Sequence, residues 1–356
     1  TSCTMTENDA ISSEGYIARS EIKIEEGHMT PEVLLAFGRL SDPQVSPDGK
    51  HILYGVSYTS VSENRSVRNL FICNLDGSDS QQLTTSGKSI NNARWSSDGK
   101  HVAFLMGGQI HTAGISEKNG IWSLEGVKKV SDIPAGIGEF KISPDEKKVM
   151  YISYVKSDVK TPADCYEDLG KANAYTTDDL MYRHWDHTVM EIPHTFVADF
   201  GFDGMAFNAG TDILANETEL YELPTEPFGG LEQLAWSPDS RYILCNYQAN
   251  GGWNNEDIAV IDVESGEITD LTESGYTDGG FRWALKGKAM TWTSDKAGYR
   301  SHGSWGAEKD VYIMFFDGKA YADFLKDKED REIEKMMSDE KKPKKEKKDS
   351  AKVEKK

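Results

Sequence analysis

The sequence predicts an all-β chain, a β-propeller of about six four-stranded blades, and three observations carry that prediction. First, a five-residue turn recurs as Ser46-Pro47-Asp48-Gly49-Lys50, Ser96-Ser97-Asp98-Gly99-Lys100, Ser143-Pro144-Asp145-Glu146-Lys147 and Ser237-Pro238-Asp239-Ser240-Arg241. Second, successive Asp residues of the turn lie 50, 47 and 94 positions apart, the last being twice 47. A period of this length marks a propeller or a solenoid. Third, each copy runs into a short apolar stretch: Ile52-Leu53-Tyr54, Val102-Ala103-Phe104-Leu105, Val149-Met150-Tyr151-Ile152 and Tyr242-Ile243-Leu244. Such stretches read as strands, and no helix of ten or more periodic residues fits between the copies.

The chemistry of the turn agrees with strand, tight turn, strand. Pro presets φ, Asp bonds its own backbone, and Gly takes the positive-φ position. Three residues before each Asp stands an apolar or aromatic anchor: Val45, Trp95, Ile142 and Trp236. One further step of 47 reaches Lys286 in Ala284-Leu285-Lys286-Gly287-Lys288, a worn copy that keeps Gly-Lys. Residues 40 to 325 hold about six such periods. A ring of blades must close or leave a strand edge exposed. The strand near 40–46, or the segment before it, is therefore expected to pair with the last blade around 311–316.

In chain order, residues 1–28 read as a polar leader, 29–325 as the propeller and 326–356 as a charged tail or linker, helical or disordered. Thr30-Pro31-Glu32 supplies an N-cap, a Pro at the first helical position and an acidic first turn, so Pro31 to Phe37 is expected to be a short helix. After the third copy the pattern breaks, from Ser157 to about Pro193, with no turn motif. Strand patterns resume at Thr195-Phe196-Val197 and Leu234-Ala235-Trp236, then at 254–262 and 311–316.

Charge narrows the function classes. The chain has a net charge of −19, and its tail from 326 onward carries 13 Lys/Arg against 10 Asp/Glu, so the body before it stands at −22. Such a body repels phosphate backbones, which argues against a nucleic-acid partner. No apolar run approaches the roughly 18 residues of a membrane helix. Four cysteines are too few for a disulfide framework, and Cys73 and Cys245 fall in predicted strands as buried thiols. Thr1-Ser2-Cys3 followed by a polar stretch resembles the end of a bacterial lipoprotein signal. On that reading Cys3 is lipidated and the protein is exported to the periplasm or cell envelope. An arbitrary start at Thr1 is the other reading.

Longer motifs resemble a known family. Met29-Thr30-Pro31-Glu32 and Phe37-Gly38-Arg39-Leu40-Ser41-Asp42-Pro43-Gln44-Val45-Ser46-Pro47-Asp48-Gly49-Lys50 are similar to the opening blade of bacterial prolyl oligopeptidase-family serine peptidases, the dipeptidyl and acylaminoacyl type. His184-Trp185-Asp186, Pro193-His194 and the run from Gly229 to Asp239 resemble its middle. Beyond Asp239, the runs Phe281 to Met290 and Arg300 to Ala307 look more like the propeller of tricorn-type proteases. Both families place their catalytic domain after the propeller. No G-x-S-x-G nucleophile elbow occurs in the sequence, and the α/β alternation of a hydrolase domain is missing. The expectation is a non-catalytic propeller whose catalytic α/β-hydrolase domain is absent from this chain.

The resemblance implies a supporting role: gating access and helping to hold peptide. The interruption offers the residues for it, because Arg183, His184, Trp185, Asp186 and His187 bring a cation, an anion, imidazoles and an aromatic face within five positions. An acidic group suits a peptide's free amino terminus, and an Arg its carbonyl or carboxylate. Equally, Trp185 packs between blades and the charges form its solvated rim. His184, His187 and His194 are spaced too loosely for a metal site, and no cofactor is implied. Partners would be a peptide substrate or a catalytic hydrolase domain. Two other functions stay open, an autonomous Tol-type propeller binding a protein or peptide in the envelope and a nonfunctional truncated gene product.

Overall fold

One local device, written four times in the sequence, builds the first turn of four blades. Ser46 Oγ donates to Asp48 Oδ1 (2.6 Å), the same carboxylate accepts from Lys50 N (3.1 Å), and Ser46 Oγ accepts from His51 N (3.0 Å). The same bracket recurs at Ser96 and Asp98, Ser143 and Asp145, and Ser237 and Asp239. The Ser hydroxyl first, and then the backbone N–H, hold the carboxyls of Asp48 and Asp98 below their ordinary range. In the worn copy the bracket is gone, and a tight turn replaces it with Leu285, Lys286 and Gly287 all at positive φ.

The computed structural model describes residues 11–22, 27–156, 160–172, 183–184, 187–188, 190–215, 234–247, 256–299 and 307–340; residues 183–184, 187–188 and 338–340 are described as backbone. Helix α1 (Pro31–Ala36) is capped by Thr30 as expected, its hydroxyl accepting from Val33 N. Blade 1 is β1 (Arg39–Val45), β2 (His51–Ser60), β3 (Arg65–Asn74) and β4 (Gln81–Gln82). Blade 2 is β5 (Ile90–Trp95), β6 (His101–Met106), β7 (Gln109–Lys118) and β8 (Ile121–Lys129). Blade 3 opens with β9 (Glu139–Ile142) and β10 (Lys148–Lys156). There the chain leaves the sheet through α2 (Pro162–Cys165) and a hairpin of β11 (Arg183–His184) and β12 (His187–Thr188). It returns as β13 (Glu191–Asp199) and β14 (Thr211–Asp212). Blade 4 is β15 (Leu234–Trp236), β16 (Tyr242–Tyr247), β17 (Asp257–Asp262) and β18 (Ile268–Asp270), and blade 5 is β19 (Asp278–Ala284), β20 (Ala289–Ser294) and β21 (Asp310–Phe315). Helices α3 (Gly318–Leu325) and α4 (Lys328–Glu340) follow. Every pairing within the blades is antiparallel between sequence neighbours in the sheet.

Side chains alternate between the two faces of a strand, so each blade feeds two apolar layers. On β10, Val149 and Tyr151 enter the layer shared with Ala103, Leu105 and Ile110 of blade 2. Met150 and Ile152, one step out of phase, enter the layer shared with Leu234, Ile243 and Cys245 of blade 4. The core is thus a set of seams between blades rather than one centre.

The anchor position has a second use at these seams. Trp95 Nε1 donates to Gln44 O of blade 1 (3.3 Å), Trp236 Nε1 to Lys141 O of blade 3 (3.4 Å), and Trp283 Nε1 to Ala235 O of blade 4 (3.0 Å). Each indole therefore clasps the first strand of the preceding blade at the same offset. The Ile142 side chain has no N–H to offer. The residue after each turn Asp is at positive φ: Gly49, Gly99, Glu146 and Ser240. The two that are not glycine reach back across a seam, Glu146 Oε1 accepting from Ser97 N and Ser240 Oγ accepting from Asp145 N.

The blade count applies to the described residues alone, and one expectation needs correction. The described residues form five blade sheets where the period implied about six, four of them four-stranded and the last three-stranded. Among the described residues the doubled gap from Asp145 to Asp239 holds no further blade sheet, only the two-stranded hairpin of β11 and β12. Nor does the first strand close on the last. Among the described residues β1 pairs only with β2, and β21 only with β20. The outer face of blade 1 is covered locally instead. Tyr54, Val56, Tyr58 and Phe71 share a cavity of about 380 Å³ with Val33 and Phe37 from the helix segment, and Val33 is buried. The leader also straps onto the blades. Gly87 N donates to Ser12 O (2.9 Å), Arg65 Nη2 donates to Gly15 O (2.5 Å), and Ile17 is buried.

Candidate functional site

Blade 3 is where the repeat departs most from its template. Its strands β10 and β13 pair without a break from Lys148 opposite Asp199 to Lys156 opposite Glu191. The chain therefore leaves at the end of β10 and re-enters at the start of β13. The repeated Ser-x-Asp turns join the ends of the first strands to the starts of the second. The excursion consequently stands on the opposite face of the propeller. Its root is fastened: Lys156 Nζ donates to Asp164 Oδ1 (2.8 Å), and Thr161 N and Oγ1 both donate to Asp164 Oδ2 (2.8 and 2.7 Å). Those donors, Lys156 first, hold the Asp164 carboxyl far below its ordinary range.

Within the excursion the sequence-predicted residues fall at a hairpin. Arg183 stands opposite Thr188 and His184 opposite His187, so His184 and His187 are brought to one closing pair. Trp185, Asp186 and Cys3 lie outside the described residues.

Below the excursion, three register pairs in from Lys156 and Glu191, His194 stands opposite Ser153 on β10. Its Nδ1 is 2.8 Å from Asp212 Oδ2 on β14, whose Oδ1 accepts from Leu214 N (2.9 Å). Tyr151 is stacked on Phe196 with ring centroids 5.4 Å apart, and burial, with Asp212 adding to it, pushes its phenol up to about 12. A carboxylate that orients an imidazole is half of a hydrolytic triad. Here His194 is buried, and among the described residues its Nε2 has no hydrogen-bond partner. The pair ties β13 to β14 below the excursion. Pro193-His194 was visible in the sequence as a motif. Asp212 was not, because its role depends on β14 lying beside β13.

No protein-family model matches the chain. Among curated proteins it is similar to dipeptidyl-peptidase 5 of Porphyromonas gingivalis, 36% identical over 284 residues, which is 77% of this chain and 40% of that protein. Dipeptidyl-peptidase 5 of Porphyromonas endodontalis is 34% identical over 286 residues, 77% of this chain and 39% of that protein. This is a peptidase-family propeller. The likeness in structure agrees on the fold: the acylaminoacyl peptidase of Pyrococcus horikoshii superimposes with a TM-score of 0.50 at 16% identity, over 79% of this chain and 39% of that one. The peptidase-family propeller described here spans about two fifths of the length of the curated relatives it matches.

Proposed function

We propose that this propeller is the non-catalytic part of an exported dipeptidyl-type serine peptidase, in which it gates access to a catalytic α/β-hydrolase domain and helps to hold short peptides. The observation that carries this reading is the excursion of blade 3. Among the described residues it is the interruption of the repeat that brings ionisable residues to a hairpin, and it leaves the blade at the end away from the repeated turns. The sequence likeness to dipeptidyl-peptidase 5 supplies the substrate class. Asp186 receives the peptide's amino terminus and Arg183 a carbonyl or carboxylate, with charge-assisted hydrogen bonds to each. Cys3 is the proposed lipid attachment point in the cell envelope.

The test is calorimetric titration of the chain with tri-alanine and with N-acetyl tri-alanine. Free tri-alanine is expected to bind at least tenfold more tightly than the acetylated peptide, and Asp186→Asn to remove that difference. Equal affinity for the two peptides, or an unchanged preference in the variant, would refute the amino-terminus role.

A further inference from the structure

Outside the blade 3 excursion, the inner seam between blades 1 and 2 holds a guanidinium that the fold positions but does not neutralise. Arg68 sits on β3, and its side chain runs across β2 toward β1 and β5. Gly55 makes the crossing possible, since a Cβ there would collide with Arg68 Nε and Cζ. At the far side Arg68 Nη2 donates to Ser41 O (3.0 Å) and Nη1 to Asn91 Oδ1 (3.3 Å). Both acceptors are neutral. Its Nε is buried with no acceptor.

The carboxylate that acts on it, Asp42, is already engaged. Arg94 Nη1 donates to both oxygens of Asp42 (3.0 and 2.9 Å), and Gln44 Nε2 donates to Oδ1 (2.8 Å). Asp42 is held at φ 52 in the irregular step between Ser41 and Gln44, which fixes where its carboxylate points. Two guanidinia therefore share one carboxylate in a chain whose net charge is −19. The next inner-strand residue along, Asn92, repeats the excess of donors. Its Oδ1 accepts from Phe140 N (2.8 Å) and its buried Nδ2 has no partner. Buried polar groups are normally satisfied, so a local surplus made only of donors calls for an acceptor. The charge on Arg68 is held at a cost: burial chiefly, and Arg94 beside it, lower its pKa against the pull of Asp42.

We propose that Arg68 is a carboxylate-binding residue on the inner wall of the propeller, taking the C-terminal carboxylate or an acidic side chain of a short peptide. The guanidinium fork matches a carboxylate bidentately, and its two Nη groups lie where the seam meets solvent. The peptide part of the assignment rests on the function proposed above; the anion site does not. The two are separated by following the Arg68 Nε–Hε resonance of isotope-labelled chain during titration with acetate, tri-alanine and tri-alanine amide. The expected result is a shift with acetate and with tri-alanine, at least tenfold tighter binding of the acid than of the amide, and loss of that preference in Arg68→Gln. Gly55→Ala keeps both charges but displaces the side chain, and it is expected to weaken binding to the same extent.

Tripeptides that bind regardless of amidation and of Arg68→Gln would overturn the carboxylate site and leave the peptide-holding function standing. A shift with acetate but none with either tripeptide would keep the site and overturn its peptide ligand. No shift with any of the three would overturn the proposal entirely.

Discussion

Replacing Trp283 by Phe tests whether the indole clasps hold the blades together. Trp283 Nε1 donates to Ala235 O at 3.0 Å, the shortest of the three clasps. A neutral hydrogen bond of this kind contributes about 1 kcal/mol net. Trimming the indole to a benzene ring also withdraws apolar area from the seam. Removing roughly 30 Å² at about 25 cal/mol per Å² adds a little under 1 kcal/mol. Trp283 already lines a cavity of about 440 Å³ with Tyr242, Val260, Leu271 and Phe316, so the smaller ring enlarges an existing gap instead of closing one. The expected loss is about 1–2 kcal/mol, against about 1 kcal/mol for Trp95→Phe and Trp236→Phe, whose bonds are longer. Urea unfolding gives the global value, and hydrogen exchange of the Ala289–Ser294 strand reports the last blade separately. An unchanged midpoint with unchanged exchange in that strand would refute the clasp, as would a larger effect at Trp95 than at Trp283.

Two further outcomes follow from the same seams. Ser240 holds a positive φ of 62 and accepts from Asp145 N at 3.2 Å; Ser240→Ala keeps the strain and loses the bond, costing about 1 kcal/mol. Ser240→Gly loses the bond but releases about 1 kcal/mol of left-handed strain, so in thermal melts it should stay near wild type, and equal melting of the two variants would contradict this account. Cys245 is fully buried and burial pushes its thiol up to about 12, whereas Cys165 is exposed; at pH 8 only about one Cys245 in ten thousand is thiolate. Iodoacetamide on the native chain should therefore label Cys165 and spare Cys245, and prompt labelling of Cys245 by mass spectrometry would show that the blade 3–4 seam opens.

Much of the fold was legible because its information is local. The Ser-x-Asp turn specifies itself within six residues, each hydrogen bond spanning no more than five positions, and the apolar runs beside it set the strands. The helix at Pro31 was legible for the same reason, since Thr30 caps Val33 three residues on. The Trp anchors were visible as a constant offset, yet their partners were not, because an indole at 95, 236 or 283 reaches a carbonyl 48 to 95 positions away.

What the sequence could not decide was how repeats are counted and what lies across a seam. A gap of two periods reads equally as a hidden blade or as an excursion. The unbroken pairing of β10 with β13 shows that the part of the gap between them is an excursion, because hydrogen-bond register is a property of two strands and not of one. The same holds for the covered outer face of blade 1, for the bond between His194 and Asp212, and for the path of Arg68 over Gly55. Local turn chemistry and side-chain alternation are carried by neighbouring residues and can be read from the chain alone. Ring closure, buried pairs and unneutralised charge depend on which distant backbone arrives alongside, and the tertiary structure alone determines that.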